Sequence, residues 1–147
     1  MDLFQALRDS YLTEGLTDDQ VRAIEAISEG LICKDLQEVI REFDEPSDVF
    51  ILVHGKARVT TNSGEPIARL KDGSIFGEIA LFSDTQRTAS VLSDGVSKFV
   101  RIDGKKLNAL MDDKPEIGVK ILRNVGRTLC AHLRSSNVQL ESILRTL

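Results

Sequence analysis

Between residues 31 and 103 the chain never sustains a helical repeat. Branched and aromatic residues come there in short runs, at 31–35, 39–43, 49–54, 56–61, 66–70, 88–93 and 97–103, separated by turn-forming residues. Runs of that length suit strands with alternating faces, and many of them in succession build a sandwich or a barrel. Asn62-Ser63-Gly64-Glu65 carries the residues of a hairpin turn between the fourth and fifth runs. Helical patterns flank this region and parallel crossovers are missing, so the fold class predicted is α+β.

The flanks sharpen that outline. Residues 2–12 read as a short amphipathic helix with Leu3, Phe4, Leu7 and Tyr11 near one face. Thr17-Asp18-Asp19-Gln20 has the form of a capping box, and a second helix is expected over 18–29 with Val21, Ile24, Ala26 and Ile27 packed on the core. After the strands, 104–113 predicts a short helix and Pro115 the first residue of another, where its missing N–H is no loss. From Glu116 the helical pattern runs almost to Leu147, although Gly126 weakens its middle by about 1 kcal/mol relative to alanine. Leu122, Leu129, Leu133, Leu140, Ile143 and Leu147 follow alternating three- and four-residue steps, interrupted at Gly126 and Ser136. That seam packs either on the chain's own barrel or against a second copy, and beyond Ser135, where the helix is expected to outrun a small barrel, the second copy is favoured. Lys120, Arg123, Arg127 and Arg134 lie in a stretch without acidic residues, which suits a solvated face, an acidic partner or a negative ligand.

A chain of 147 residues builds one domain with a real core and has little room for two. Its 19 basic against 23 acidic residues leave no broad basic footprint, so no nucleic acid is expected as a partner within this chain. Cys33 and Cys130 lie far apart without disulfide or metal spacing, which favours a reducing, cytoplasmic setting. The N-terminus lacks the pattern of a secretory leader, and no apolar run approaches the roughly 18 residues of a membrane span. Neither His54 nor His132 has a cysteine or carboxylate at metal-ligand spacing, and no nucleophile elbow or phosphate-loop lysine is present. No general base is set against a reacting group, so binding rather than catalysis is expected, with no metal and no resident cofactor.

The stretch 76–91 carries the chemistry. Phe76-Gly77-Glu78-Ile79-Ala80-Leu81-Phe82 places a glycine, over which a ligand can approach the backbone, ahead of a carboxylate and an apolar helical turn. Arg87-Thr88-Ala89-Ser90-Val91 then returns a guanidinium beside a hydroxyl. Amides at a helix start favour an anion, an arginine fork takes two phosphate oxygens, and a carboxylate accepts from a sugar hydroxyl. Together they form a constellation for a sugar phosphate. The competing arrangement is an internal ion pair between Glu78 and Arg87, which would not need the small residues Gly77, Ala80 and Ala89.

At these positions the chain resembles the phosphate-binding cassette of the cyclic nucleotide-binding domain family. There Phe-Gly-Glu, two small or apolar residues and a variable bridge precede Arg-(Ser/Thr/Ala)-Ala-(Ser/Thr)-Val, and every fixed position is filled here. The likeness continues upstream through Asp48-Val49-Phe50-Ile51-Leu52-Val53-His54-Gly55 and Leu70-Lys71-Asp72-Gly73, and downstream into the helical tail. It implies an eight-stranded jelly-roll-like barrel flanked by N-terminal helices and a long C-terminal helix. One domain would span 1–147, with helices over 1–30, the barrel over 31–103 and helices over 104–147.

The ligand implied is cAMP or cGMP, seated in the barrel mouth. Arg87 would hold the exocyclic phosphate oxygens, Glu78 the ribose 2′-hydroxyl, and the backbone around Gly77, Ile79, Ala80, Thr88 and Ala89 the remaining acceptors. Thr88 permits the guanine base and also occurs in relatives that prefer adenine. Val59, Thr60, Ala68 and Leu70 either wall the base or are ordinary barrel core. Thr128 and His132 fall at the family's lid positions, where relatives carry arginine or a hydroxyl, and Arg127 is one residue off. Leu81 or Phe82 would pass occupancy to the final helices. The implied partners are the nucleotide, a second copy through the C-terminal helix, or an effector. Competing readings are a nucleotide-independent dimerisation module of the same fold and the truncated sensor half of a helix-turn-helix regulator.

Overall fold

The computed structural model describes residues 1–40, 47–61, 63–82 and 89–146. Asp2 caps the first helix, α1 (Leu3–Arg8), by accepting from the Gln5 amide at 3.1 Å. The chain then tightens into a 3-10 turn, Tyr11–Thr13, instead of staying α-helical to residue 12. The Arg8 guanidinium fixes this bend by donating to the carbonyls of Leu16 and Thr13 at 2.7 and 2.6 Å. Both halves of the capping box form before α2 (Asp18–Glu25): Gln20 N donates to Thr17 Oγ1 and Thr17 N to Gln20 Oε1. This helix stops short of the expected residue 29, because Ser28–Cys33 is already a strand, β1, paired with a segment some seventy positions later in the chain. Distant pairing here overrides local helical preference.

The remaining strands are β2 (Glu38–Ile40), β3 (Val49–Thr60), β4 (Pro66–Leu70), β5 (Ile75–Phe76) and β6 (Ser90–Ile102), all antiparallel. The hairpin before β4 closes with Thr61 N donating to Glu65 O and Gly64 N to Thr61 O, both at 2.9 Å. Long β3 and β6 run side by side through the middle of the sheet. One end of this pair is flanked by β1 and β5, the other by β2 and β4. Each long strand merges two of the expected runs, bending where the sequence suggested a break. At Gly55 φ is +125° and a Cβ would collide with the Ser97 side chain; Ser97 Oγ receives the Lys56 amide at 3.1 Å, and the register shifts on both sides of His54. Asp72 secures the same bend by accepting from Gly55 N at 2.8 Å, and that amide, with His54 assisting, holds its carboxyl below the usual range.

Six strands therefore form among the described residues where eight were expected, in one sheet whose hydrogen-bonded path does not close. The last expected run ends one residue early, with β6 closing at Ile102, and residues 41–43 of the second lie outside the described residues.

Strand alternation divides the core in two. Val49, Ile51, Val100 and Ile102 meet the helices, in one cluster with Leu7, Leu12, Ile24, Leu107 and Ile117. Phe50, Leu52 and Phe99 point the other way, into a smaller cluster with Phe76, Val91 and Ala57. Each large side chain buried this way contributes roughly 1.5–3 kcal/mol.

The C-terminal part follows its expected bounds: α4 (Gly104–Asp113), capped by Asp103, and α5 (Pro115–Thr146). Gly126 does not interrupt α5, and a Cβ there would meet nothing within 4 Å. The buried stripe of α5 is Ile117, Ile121, Asn124 and Val125. The heptad seam is a different face: Leu122 and Leu133 are 50% and 63% exposed, and among its described side chains only Leu129 leans on the core. The side chains of Leu140, Ile143 and Leu147 lie outside the described residues. Every described side chain beyond Cys130 is exposed, so the helix outruns the rest of the fold as expected. Among the described residues no helix is long and apolar enough to cross a membrane.

Candidate functional site

Phe76 anchors the start of the 76–91 segment. It pairs with Phe50 across β3 and β5, stacks on that ring at 5.3 Å between centroids, and meets Phe99 edge-on at 5.9 Å. Gly77 follows at φ +85°, a conformation that turns the chain out of β5 and straight into a short helix, α3 (Glu78–Phe82). Glu78, at its first position, is half-buried, and Ile79 and Ala80 occupy its next two. Leu81 is 6% exposed and belongs to the helix-side cluster together with Ile117, Ile121 and Val125 of α5, whereas Phe82 is 41% exposed. Of the two relay candidates, Leu81 is the one that joins this cluster. Asn108 of α4 adds a long hydrogen bond from Nδ2 to the Leu81 carbonyl, 3.5 Å.

The segment rejoins the sheet at half-buried Ala89, beside Ser90, which lies opposite Thr60. It thus leaves β3 near Phe50 and returns near Thr60, spanning the strand's length. Arg87 and Thr88 lie outside the described residues, and so does the question of an ion pair between Arg87 and Glu78.

Three of the four expected wall residues share a face. Val59 lies directly opposite Ala68 on one side and Val91 on the other, and Leu70 lies opposite Ala57. Val59 and Leu70 pack against the cluster that contains Phe76, while Ala68 is exposed. Thr60 follows Val59 directly, so the pleat turns it to the other face, where it is buried.

Thr128 is tied into the N-terminal bend. Its Oγ1 donates to the carbonyl of Asn124, the residue one turn back that reaches that bend, at 3.2 Å. Asn124 Nδ2 donates to the carbonyls of Leu12 and Glu14 at 3.0 and 2.9 Å, and Lys120 Nζ to that of Gly15 at 2.7 Å. His132, one turn on, is exposed. Tyr11 is the residue that sequence reasoning left as plain packing. Burial first, and the negative charge of Glu78 second, push its phenol up to about 12, with the Thr128 hydrogen bond pulling the other way. Its only sequence signal was an apolar-face position, which says nothing of a carboxylate brought close by folding. Among the described residues no cluster of histidine, cysteine, aspartate or glutamate is placed to hold a metal ion.

Residues 33–114 match the family model of the cyclic nucleotide-binding domain. Glutaminase 1 of Bradyrhizobium diazoefficiens is 26% identical over 140 residues, which is 95% of this chain and 23% of that protein. A cyclic nucleotide-binding domain from Methylobacillus flagellatus superposes with a TM-score of 0.78 at 20% identity, covering 93% of this chain and 79% of that one. The regulatory domain of Toxoplasma gondii PKA, solved with cAMP, gives 0.71 at 19% identity, covering 86% and 48%. At such identities the structural likenesses speak for the fold. The chain spans no more than 26% of the length of three curated relatives it matches.

Proposed function

Because the chain belongs to the cyclic nucleotide-binding domain family, we propose that it binds cAMP or cGMP over residues 76–91 and passes occupancy to α5. One observation supports the coupling: Leu81 of the cassette helix is buried in the same cluster as Ile117, Ile121 and Val125, so a shift of α3 disturbs the core on which α5 also packs. In this reading Arg87 neutralises the phosphate, Glu78 accepts from the ribose hydroxyl, and Thr88, Ala89, Gly77 and the α3 backbone satisfy the remaining acceptors. Val59, Ala68 and Leu70 wall the base, and Thr128 and His132 of α5 supply the lid. The whole chain acts as one domain, a binder without catalysis, whose output lies in a partner or a further domain. The nucleotide shifts α5 only by its differential affinity for the two arrangements.

The test is calorimetry with both nucleotides against the chain and its Arg87→Ala variant. Binding at micromolar concentration or tighter is expected, weakened in the variant by roughly 2 to 5 kcal/mol through loss of a charge-assisted contact. Unchanged affinity in that variant would remove the phosphate assignment. The exposure of Leu122 and Leu133 supports a second proposal, a homodimer along the outer seam of α5.

A further inference from the structure

Away from residues 76–91, the N-terminal bend and β3 enclose a cavity of about 260 Å³ that is open on one side. Asp9 and Ser10 line it from the bend and Asp72 from the turn that leads into β5, while Ala6, Ile51 and Val53, which all join the helix-side core, give it apolar walls. Ser10 is only 7% exposed. Its Oγ accepts from the Leu12 amide at 3.2 Å, and among the described residues no acceptor meets its own proton. A buried donor left unanswered is costly, and a guest that brings an acceptor removes the cost.

The two carboxylates are exposed and keep spare capacity. Asp9 accepts from Gln5 Nε2 at 2.7 Å and Asp72 from Gly55 N at 2.8 Å, with His54 Nδ1 3.3 Å from its other oxygen. An ionised carboxylate offers about four acceptor sites, so neither is saturated. Among the described residues no lysine or arginine lines the cavity, and Arg8, next to Asp9, is committed to the carbonyls of Leu16 and Thr13 and lies toward Asp18.

We propose that this cavity binds a small aliphatic ammonium compound with an oxygen acceptor, the chemistry of an amino alcohol. The charged nitrogen goes to Asp9 and Asp72, the stem lies on Ala6, Ile51 and Val53, and the oxygen takes the Ser10 proton. A space worth roughly nine waters admits such a molecule and is too small for a nucleotide. Water alone would answer Ser10 but bring no charge to the carboxylates. The site stands independently of the nucleotide reading.

Amide NMR of the full chain, titrated with aminobutanol, tests it, beside butylamine, which lacks the oxygen, and butanediol, which lacks the charge. Saturable shifts at the Ala6, Ser10, Val53 and Gly73 amides are expected at millimolar aminobutanol, with butylamine weaker and butanediol silent. Asp9→Asn and Asp72→Asn keep the oxygen that each local hydrogen bond uses, and each should weaken aminobutanol by about threefold or more. Ser10→Ala should bring aminobutanol down to the affinity of butylamine; a loosened turn would affect both ligands and leave their ratio readable. Absence of saturable shifts at these amides overturns the site and leaves it to water. Butanediol binding as well as aminobutanol, or full affinity in the double asparagine variant, overturns the ammonium assignment, and an undiminished preference for aminobutanol in Ser10→Ala overturns the part given to Ser10.

Discussion

The two halves of α5 share one amphipathic rhythm and meet different surroundings. From Pro115 to Thr128 the helix buries Ile117, Ile121 and Val125 and sends Asn124 and Lys120 to the carbonyls of the N-terminal bend. Beyond Cys130 every described side chain faces solvent, Leu133 and Val138 included. The buried stripe advances in steps of four and the outer seam in steps of three and four. A single helix can thus hold its own domain with one face and keep another open for a second chain. Burial in the first half is tied to stability, whereas the exposed leucines of the second half do nothing for an isolated chain.

Substitutions in the two halves should separate cleanly. The largest effect is expected of Ile121→Ala, a cavity at a fully buried position, which should cost about 2–5 kcal/mol in urea unfolding. A cost under about 1 kcal/mol would mean that the first half is not the clamp described. Asn124→Ala comes next, at about 1–3 kcal/mol, because two carbonyls of the bend lose their donor.

Alkaline titration gives a smaller effect from the same half. The Tyr11 phenol sits at about 12 when folded, above the ordinary 10.0 of an unfolded tyrosine. Between these values the folded form binds the proton and the unfolded form does not, so stability falls as pH rises through that window. Tyr11→Phe should flatten this slope in unfolding curves, and an unaltered slope would deny the phenol its partly buried place. At the bottom of the scale, Leu133→Glu should change the unfolding free energy of a single chain by no more than about 0.5 kcal/mol. The same change should still lower the mass in light scattering if the seam joins two copies.

Much of this outline was legible from local chemistry. The capping box at Thr17, the strand Pro66–Leu70, the helix Gly104–Asp113 and the start at Pro115 all depend on residues within a few positions of one another. Features set by distant partners were harder to read. Ser28 and Glu29 continue a helical pattern, yet they pair with Ile102 and Arg101, and Arg101 also ion-pairs with Glu29. Gly55 and Gly95 look like breaks in a strand and prove to be bends inside β3 and β6, which is why fewer, longer strands form than the runs suggested.

The same limit applied to the site. The motif 76–91 stood out as a string of residue types, and Leu81 over Phe82 required knowing which side of α3 meets α5. The surroundings of Tyr11 required its turn and the distant helix α5 to converge. Thr60 was grouped with Val59 by position, but adjacent residues on a strand face opposite ways.

The central place of β6 also sets a timetable for the chain as it is made. Its partners β1, β2 and β3 are all synthesised earlier, and among the described strands only the pairings of β3 with β4 and β5 are complete before it. A nascent chain halted near the cassette would hold a small hairpin and a collection of apolar runs without neighbours, exposed to aggregation. Emergence of residues 90–102 supplies the missing edge to three strands at once, so assembly should be abrupt and late.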